Sequence, residues 1–213
     1  MKISLLGAPG CGKGTQGKLI SEYYNIPHIS TGELFRQNIS NHTPLGDEAK
    51  KYIDLGALVP DSITIDMLNC RISQDDCKNG YILDGFPRTV KQAEEFLSKN
   101  NLDKVLYFNV KDSTIIERIK NRRTCAKCGA IYSTLMHSSM QCDNCGGDLI
   151  IRPEDNRIDA RIDAYYKDTF PLVDYYQQVG LLTTIDMNNL LESEPGKQIA
   201  EIFSKIKAIL GDK

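Results

Sequence analysis

The sequence has no excess of charge of either sign: 26 lysines and arginines stand against 28 aspartates and glutamates, a formal net charge of -2 over 213 residues. Such a balance provides no broad basic field to concentrate nucleic acid or an anionic membrane, so any anionic ligand has to be gripped by a local set of donors. Also missing are internal repeats, low-complexity tracts and any apolar run near the ~20 residues that cross a bilayer. Met1-Lys2 runs straight into a strand-like segment without an apolar leader, which makes a cytoplasmic protein the expectation. A disulfide framework is not expected either. The 7 cysteines are odd in number, and Cys125, Cys128, Cys142 and Cys145 have metal-ligand spacing, which suits a reducing compartment; Cys70 and Cys77 read as plain free thiols.

What is present is enough apolar material, 41% of residues, for one main domain with one or two insertions. The opening KISLLGAPGCGKGTQGKLISEYYNI reads as a short apolar strand over 3–6, a glycine loop and a helix from Lys13 to about Tyr24. Further short apolar strands are expected at 28–30, 81–83, 105–109 and 182–185, separated by helical segments. That alternation argues for an α/β fold, a parallel sheet of about five strands with helices on both faces. Two stretches interrupt it. Residues 31–74 read as several helices without a strand, and residues 122–157 turn polar and rich in cysteine and glycine. The last helices are expected at 158–180, bent near Pro171, and at 196–210.

The loop GAPGCGKGT places Gly7, Gly10, Gly12 and Gly14 between strand and helix, where backbone N–H groups can wrap an anion and Lys13 adds a positive point charge. The phosphate-loop pattern G-x4-G-K-[ST] is met at Gly7, Gly12 and Lys13, but Gly14 stands before the hydroxyl residue Thr15. Converging N–H groups would lower the thiol pKa of Cys11, although filling a small-residue slot is the reading preferred for it.

This G-x-P-G-x-G-K-G-T form resembles the nucleoside monophosphate kinases, and the adenylate kinases in particular. ISTGELFR (29–36), GALVPD (56–61), GYILDGFPRTVKQAEEF (80–96) and RPEDNR with RIDAYYKDTFPLVDYY beyond it match that family's motifs in order, and the likeness covers essentially residues 1–186. The cysteine pairs point to the long-lid, zinc-containing bacterial type. The resemblance implies a P-loop NTPase-type sheet with core segments 1–29, 60–121 and 159–213, an NMP-binding insert at 30–59 and a zinc-bearing lid at 122–158. It implies reversible transfer of the ATP γ-phosphoryl group to AMP, giving two ADP, by a monomer that uses Mg2+ with ATP, binds neither nucleic acid nor membrane and serves adenine nucleotide homeostasis.

By the same resemblance, Gly10, Cys11, Gly12, Lys13, Gly14 and Thr15 hold the ATP phosphates and lie near magnesium, and Asp84, closing an apolar strand, acts on the magnesium shell. Arg118 and Arg122 reach the ATP phosphates, and Ile131 and Tyr132 lie beside the ATP adenine. Arg36 and Arg88 grip the AMP phosphate, as guanidinium forks suit phosphate oxygens. Thr31, Ile53, Ala57, Leu58, Val59, Gly85, Phe86, Pro87 and Gln92 surround the rest of AMP, with the Gln92 amide reading the adenine edge. Arg152 and Arg161 complete the catalytic set with Lys13, Arg88, Arg122 and Asp84. Three features depart from the family pattern. The Arg152 to Arg161 spacing is short, so Arg157 competes with Arg161. Glu154-Asp155 replaces the usual Asp pair. MNNLLESEPG follows Asp186 where glycine is usual, so the backbone that closes over the ATP adenine is unassigned.

Cys125, Cys128, Cys142 and Cys145 form two C-x2-C pairs, a closed four-thiolate set with no vacant position for a substrate, hence a structural Zn2+ site, with iron as the alternative metal. A nucleic-acid-binding ribbon is the rival reading. Its charged side chains from 124 to 151 are Lys127, Asp143 and Asp148, and a tetrathiolate zinc carries about -2 by formal charge, a surface that repels a phosphate backbone. The ribbon therefore reads as a staple for a small lid unable to build a core of its own.

Overall fold

The computed structural model describes residues 1–55, 57–188 and 195–212. Five strands, β1 (Lys2–Gly7), β2 (His28–Ser30), β3 (Tyr81–Asp84), β4 (Lys104–Asn109) and β8 (Leu182–Asp186), form one sheet in the order β2-β3-β1-β4-β8, parallel throughout. The apolar runs of β1, β3 and β4 are nearly continuous because both faces are covered, and the alternation of side chains sorts each run into two cores. Leu6, Leu83, Val105 and Tyr107 pack on one face with Phe86, Phe96, Leu172 and Tyr176. Ile3, Leu5, Ile82, Leu106 and Phe108 pack on the other with Ile20, Ile185, Ile202 and Ile206.

The covering helices are α1 (Lys13–Tyr24), α4 (Asp61–Ile72), α5 (Val90–Lys99), α6 (Asp112–Lys120), α7 (Ile158–Ala164), α8 (Leu172–Gln178) and α9 (Pro195–Leu210). The helical stretch after β2 divides into α2 (Thr31–Ser40), α3 (Pro44–Ile53) and α4. The starts of α2 and α3 are each capped: the Ser30 hydroxyl accepts from Glu33 N–H, and the Thr43 hydroxyl accepts from Gly46 N–H. Phe35, Ala49 and Val59 make a small core beneath α2 and α3, whereas Ile65 and Leu68 tie α4 to the main one. The cysteine-rich stretch forms a three-stranded antiparallel sheet, β6 (Ile131–Ser133), β5 (Arg122–Cys125) and β7 (Leu149–Ile150), over a few buried residues.

One expectation fails. Residues 158–180 are not a single helix bent at Pro171; after α7 the chain widens into a π turn at Tyr165–Thr169, and α8 begins only at Leu172. Pro171 has no N–H to continue the ladder, and the turn before it is closed instead by the Phe170 N–H donating to the Tyr165 carbonyl at 2.8 Å. Among the described residues no helix is long and apolar enough to cross a membrane.

The α2–α3 contact depends on a missing side chain. A Cβ on Gly46 would overlap the Asn38 backbone, while one on Gly196 meets nothing within 4 Å. Gly46→Ala should therefore destabilise the protein by about 1–3 kcal/mol through overpacking, and Gly196→Ala should be neutral or stabilise by up to about 1 kcal/mol. Denaturant unfolding of the two variants checks both.

Candidate nucleotide site

Parallel register brings three chain turns to one edge. Leu5 lies opposite Asp84, and Asp84 opposite Ser30, so the loop after β1, the start of α2 and the turn after β3 are neighbours. The first is built of left-handed glycines, Gly10 (φ 83°) and Gly12 (φ 106°); a Cβ on Gly10 would lie 2.7 Å from Ile119. Gly12 caps α1 with no side chain, and no acidic residue stands in the first turn. The N-terminal N–H groups of α1 are thus left for an anion. Lys13 lies back along the loop, its ammonium donating to the Gly7 and Ala8 carbonyls at 2.6 and 2.9 Å, with Cys11 Sγ at 3.4 Å. Cys11 is fully buried, as its small-slot reading requires. Arg118 donates to the Cys11 carbonyl at 3.1 Å, and Met187 reaches the loop from the far side, 3.9 Å from where a Gly12 Cβ would stand.

Asp84 is buried at the end of β3, with Oδ2 3.2 Å from His28 Nε2. Burial pushes its pKa up, but the His28 hydrogen bond and the nearby Lys13, His28 and Arg88 charges outweigh that and hold it below the usual carboxylate value. Next to it, Gly85 (φ 81°) accepts through its carbonyl from Thr31 Oγ1 at 2.9 Å and from Arg88 Nε at 2.8 Å. The Arg88 N–H donates to Gln92 Oε1 at 2.7 Å, and Gln92 Nε2 donates to Asp61 at 2.6 Å.

Thr31, Arg36, Ile53, Ala57, Leu58, Val59, Arg88, Gln92 and Arg161 line one cleft, together with Gly32, Phe35, Thr64 and Glu154. Phe86 does not join them; its ring is buried in the core against Phe96 at 5.6 Å, and Pro87 follows it through a cis peptide. Gly56 and residues 189–194, the latter within the segment left unassigned over the ATP adenine, lie outside the described residues.

Arginines converge above the cleft. Asp155 accepts from Arg161 at 2.5 Å and from Arg122 through both ends of its fork; Arg36 pairs with Glu154 at 3.2 Å, and Arg152 Nε donates to Thr124 Oγ1 at 2.8 Å. Burial, helped by Arg36 and Arg122, draws the Arg152 guanidinium down to about 9, and burial with Arg122 draws Arg161 down to about 10. Among the described residues Arg152 pairs with no carboxylate and Arg161 shares Asp155 with Arg122, so an arriving phosphate stabilises both. Arg157 is exposed at the N-cap of α7, a turn away from the cleft that Arg161 lines. Motif reasoning gave no role to His28, Thr64 or Asp61, although Asp61 closes the GALVPD motif; His28 and Thr64 are marked only by position, near the start of a strand and of a helix.

The small sheet lies over the loop. Ile131 Cδ1 is 3.7 Å from where a Gly14 Cβ would stand, and a Cβ on Gly129 would meet Glu33 at 3.2 Å. Tyr132 turns away; its hydroxyl bonds Cys142 Sγ at 3.3 Å and its ring lies on His137 at 4.5 Å. The sulfurs of Cys125, Cys128, Cys142 and Cys145 all lie within 4.8 Å of one another, compatible with the about 3.8 Å edge of a tetrahedron with 2.3 Å zinc–sulfur bonds. Lys127 and Cys128 N–H groups donate to Cys125 Sγ at 3.4 Å, and the Tyr132 hydroxyl draws the Cys142 thiol down to about 6. These donors favour thiolates, so the set fits a structural divalent metal.

An anion loop at the head of a parallel sheet, beside a second cleft that carries Arg36, Arg88 and Arg161, defines a P-loop NTPase-type fold equipped for two phosphorylated ligands. The family model described as Adenylate kinase matches residues 5–181. Proteins named adenylate kinase are similar over nearly the whole length: that of Clostridium beijerinckii is 49% identical over 100% of this chain and 99% of its own, that of Clostridium tetani 48% over 99% of each, and that of Lachnoclostridium phytofermentans 47% over 99% and 98%. The chain belongs to the adenylate kinase family.

Asp155 offers a direct test of the arginine network. Asp155→Asn leaves Arg122 and Arg161 without their buried counter-charge, and removing one partner of a buried pair costs about 3–5 kcal/mol. Lower thermal stability, with protease cleavage beginning within 122–158, is the expected result.

Proposed function

We propose that the chain transfers the γ-phosphoryl group of ATP reversibly to AMP, giving two ADP, and so balances the adenine nucleotides. The observation that carries this reading is the arginine cluster at the cleft beside the glycine loop, where Arg36, Arg88 and Arg161 line the wall and Arg122 shares Asp155 with Arg161. On this reading the loop N–H groups and Lys13 hold the ATP phosphates, with Gly10, Cys11, Gly12, Gly14 and Thr15 forming the cradle and Arg118 bracing it. Arg36 and Arg88 hold the AMP phosphate. Arg122, Arg152 and Arg161 meet the group in flight, where charge spreads over its oxygens. As phosphate arrives, Glu154 releases Arg36, and Asp155 releases Arg122 and Arg161. Gln92 keeps one N–H and one lone pair beyond its bonds to Asp61 and Arg88, enough to pair with the adenine edge.

Magnesium, when bound with ATP, offsets phosphate charge; on this reading Thr15 and Asp84 would hold its shell. The four cysteines hold zinc, which keeps the lid folded and takes no part in transfer. Core segments 1–29, 60–121 and 159–213 then carry an AMP-side insert at 30–59 and a lid at 122–158, whose closure excludes water that would otherwise take the phosphoryl group. The protein acts as a cytoplasmic monomer, without nucleic acid or membrane.

Coupled ADP formation from ATP with a panel of nucleoside monophosphates tests the reading, and AMP should be the preferred acceptor. Lys13→Met should keep the fold and lower turnover by about 100-fold or more; retention of more than ~10% would remove Lys13 from the reaction. Arg88→Ala should weaken AMP binding and turnover together while ATP affinity stays near wild type. Arg161→Ala should cut turnover by at least about tenfold and Arg157→Ala by less than about twofold in the same assay.

Zinc removal separates staple from catalyst. Chelation or Cys142→Ser should lower the melting temperature and loosen 125–145 first, with much of the turnover retained at low temperature. Loss of rate with unchanged melting and protease resistance would place the metal in the reaction.

A further inference from the structure

His28 opens β2, and Cα register sets it opposite Ile82, so Asp84 lies two residues further along β3 on the same face. A long side chain spans that diagonal. The imidazole does so, with Nε2 3.2 Å from Asp84 Oδ2 and both side chains nearly buried. A carboxylate held ionised only accepts, so the facing ring nitrogen carries the hydrogen. The opposite wall of the pair is α1, and there the sequence places Gly17 in mid-helix, where glycine costs up to about 1 kcal/mol relative to alanine. No positive φ calls for it. A Cβ at that position would lie 2.5 Å from His28 Nε2 and 2.8 Å from Cδ2. The glycine therefore clears the space in which the ring reaches Asp84.

We propose that His28 is a positioning residue for the phosphoryl transfer, its Nε2–H pinning the rotamer of the Asp84 carboxylate, whose Oδ2 lies 3.5 Å from where a Gly14 Cβ would stand, beside the loop that faces the divalent cation and the phosphates. This rests on Asp84 acting on the magnesium shell. Without the pin, Asp84 is free to turn toward Lys13 or Arg88, two cations whose charge it feels. Gly17 and His28 then form one device, a gap and the ring that fills it.

The test uses the full chain and four variants: His28→Leu, His28→Gln, Gly17→Ala and Asp84→Asn. Equilibrium binding of Mn2+ to enzyme carrying β,γ-imido ATP, followed by electron paramagnetic resonance, is measured beside turnover as a function of Mg2+ and beside nucleotide affinity without divalent cation. His28→Leu and Gly17→Ala should each weaken Mn2+ binding and lower kcat by about tenfold, the usual size of an effect transmitted through a ligand's hydrogen-bond partner. Metal-free nucleotide affinity should not change. His28→Gln, which keeps an N–H donor, should restore most of both. Wild-type Mn2+ binding in His28→Leu and Gly17→Ala, with Asp84→Asn impaired, would overturn the proposal and leave His28 as packing. Wild-type behaviour of Asp84→Asn itself would remove the assigned role of Asp84, and the proposal with it. If thermal unfolding shows that His28→Leu has not folded, the decision passes to Gly17→Ala, which alters neither member of the pair.

Discussion

The parallel pairing of β3 with β1 on one side and β2 on the other is the constraint on which the site depends. Parallel strands end at a common edge, so the turns that leave them face the same way. Here those turns are the glycine loop, the Thr31 start of α2 and the Gly85 turn. Two anion sites side by side follow from the sheet before any side chain is placed. An antiparallel β3 would carry Asp84 and Arg88 to the opposite edge. The helical stretch after β2 and the cysteine-rich sheet both come close to this edge, which lets residues far apart in sequence, such as Arg36 and Glu154, meet across the cleft.

Gathering like charges is the second constraint. Arg36, Arg88, Arg122, Arg152 and Arg161 stand close enough to disturb one another, and burial removes the water that would screen them. Glu154 and Asp155 make the arrangement tolerable by standing among them as fixed anions. The price is a cleft whose donors are already engaged. Lys13, resting on loop carbonyls, is in the same condition.

The central part of the fold was legible because its signals are local and strong. The β1–loop–α1 unit and the short apolar strands lie within a residue or so of where apolar runs and glycine breaks put them, since a strand buried on both faces leaves little choice of residue. The split of 158–178 was not legible, because Pro171 marks a helix break equally well as a bend and the π turn carries no periodic signal of its own. At the site, the motifs led to the cleft residues that Thr31, Arg88 and Gln92 represent. The motifs do not say where the rings of Phe86 and Tyr132 pack: one lies in the core against Phe96 and the other carries its hydroxyl to the thiol cluster. His28 and Asp61 stayed hidden because a hydrogen bond between distant segments leaves no pattern along the chain. Arg157 and Arg161 have identical chemistry, and only the start of α7 between them separates an exposed cap from a cleft residue.

The shared carboxylate of Asp155 has a consequence for how salt acts on ligand capture. When phosphate displaces it, ion pairs are exchanged rather than created, and screening weakens both sides of the exchange. The dependence of affinity on ionic strength should therefore be shallower than the number of arginines suggests. A cleft rich in cationic groups behaves, in this respect, like one that holds far fewer.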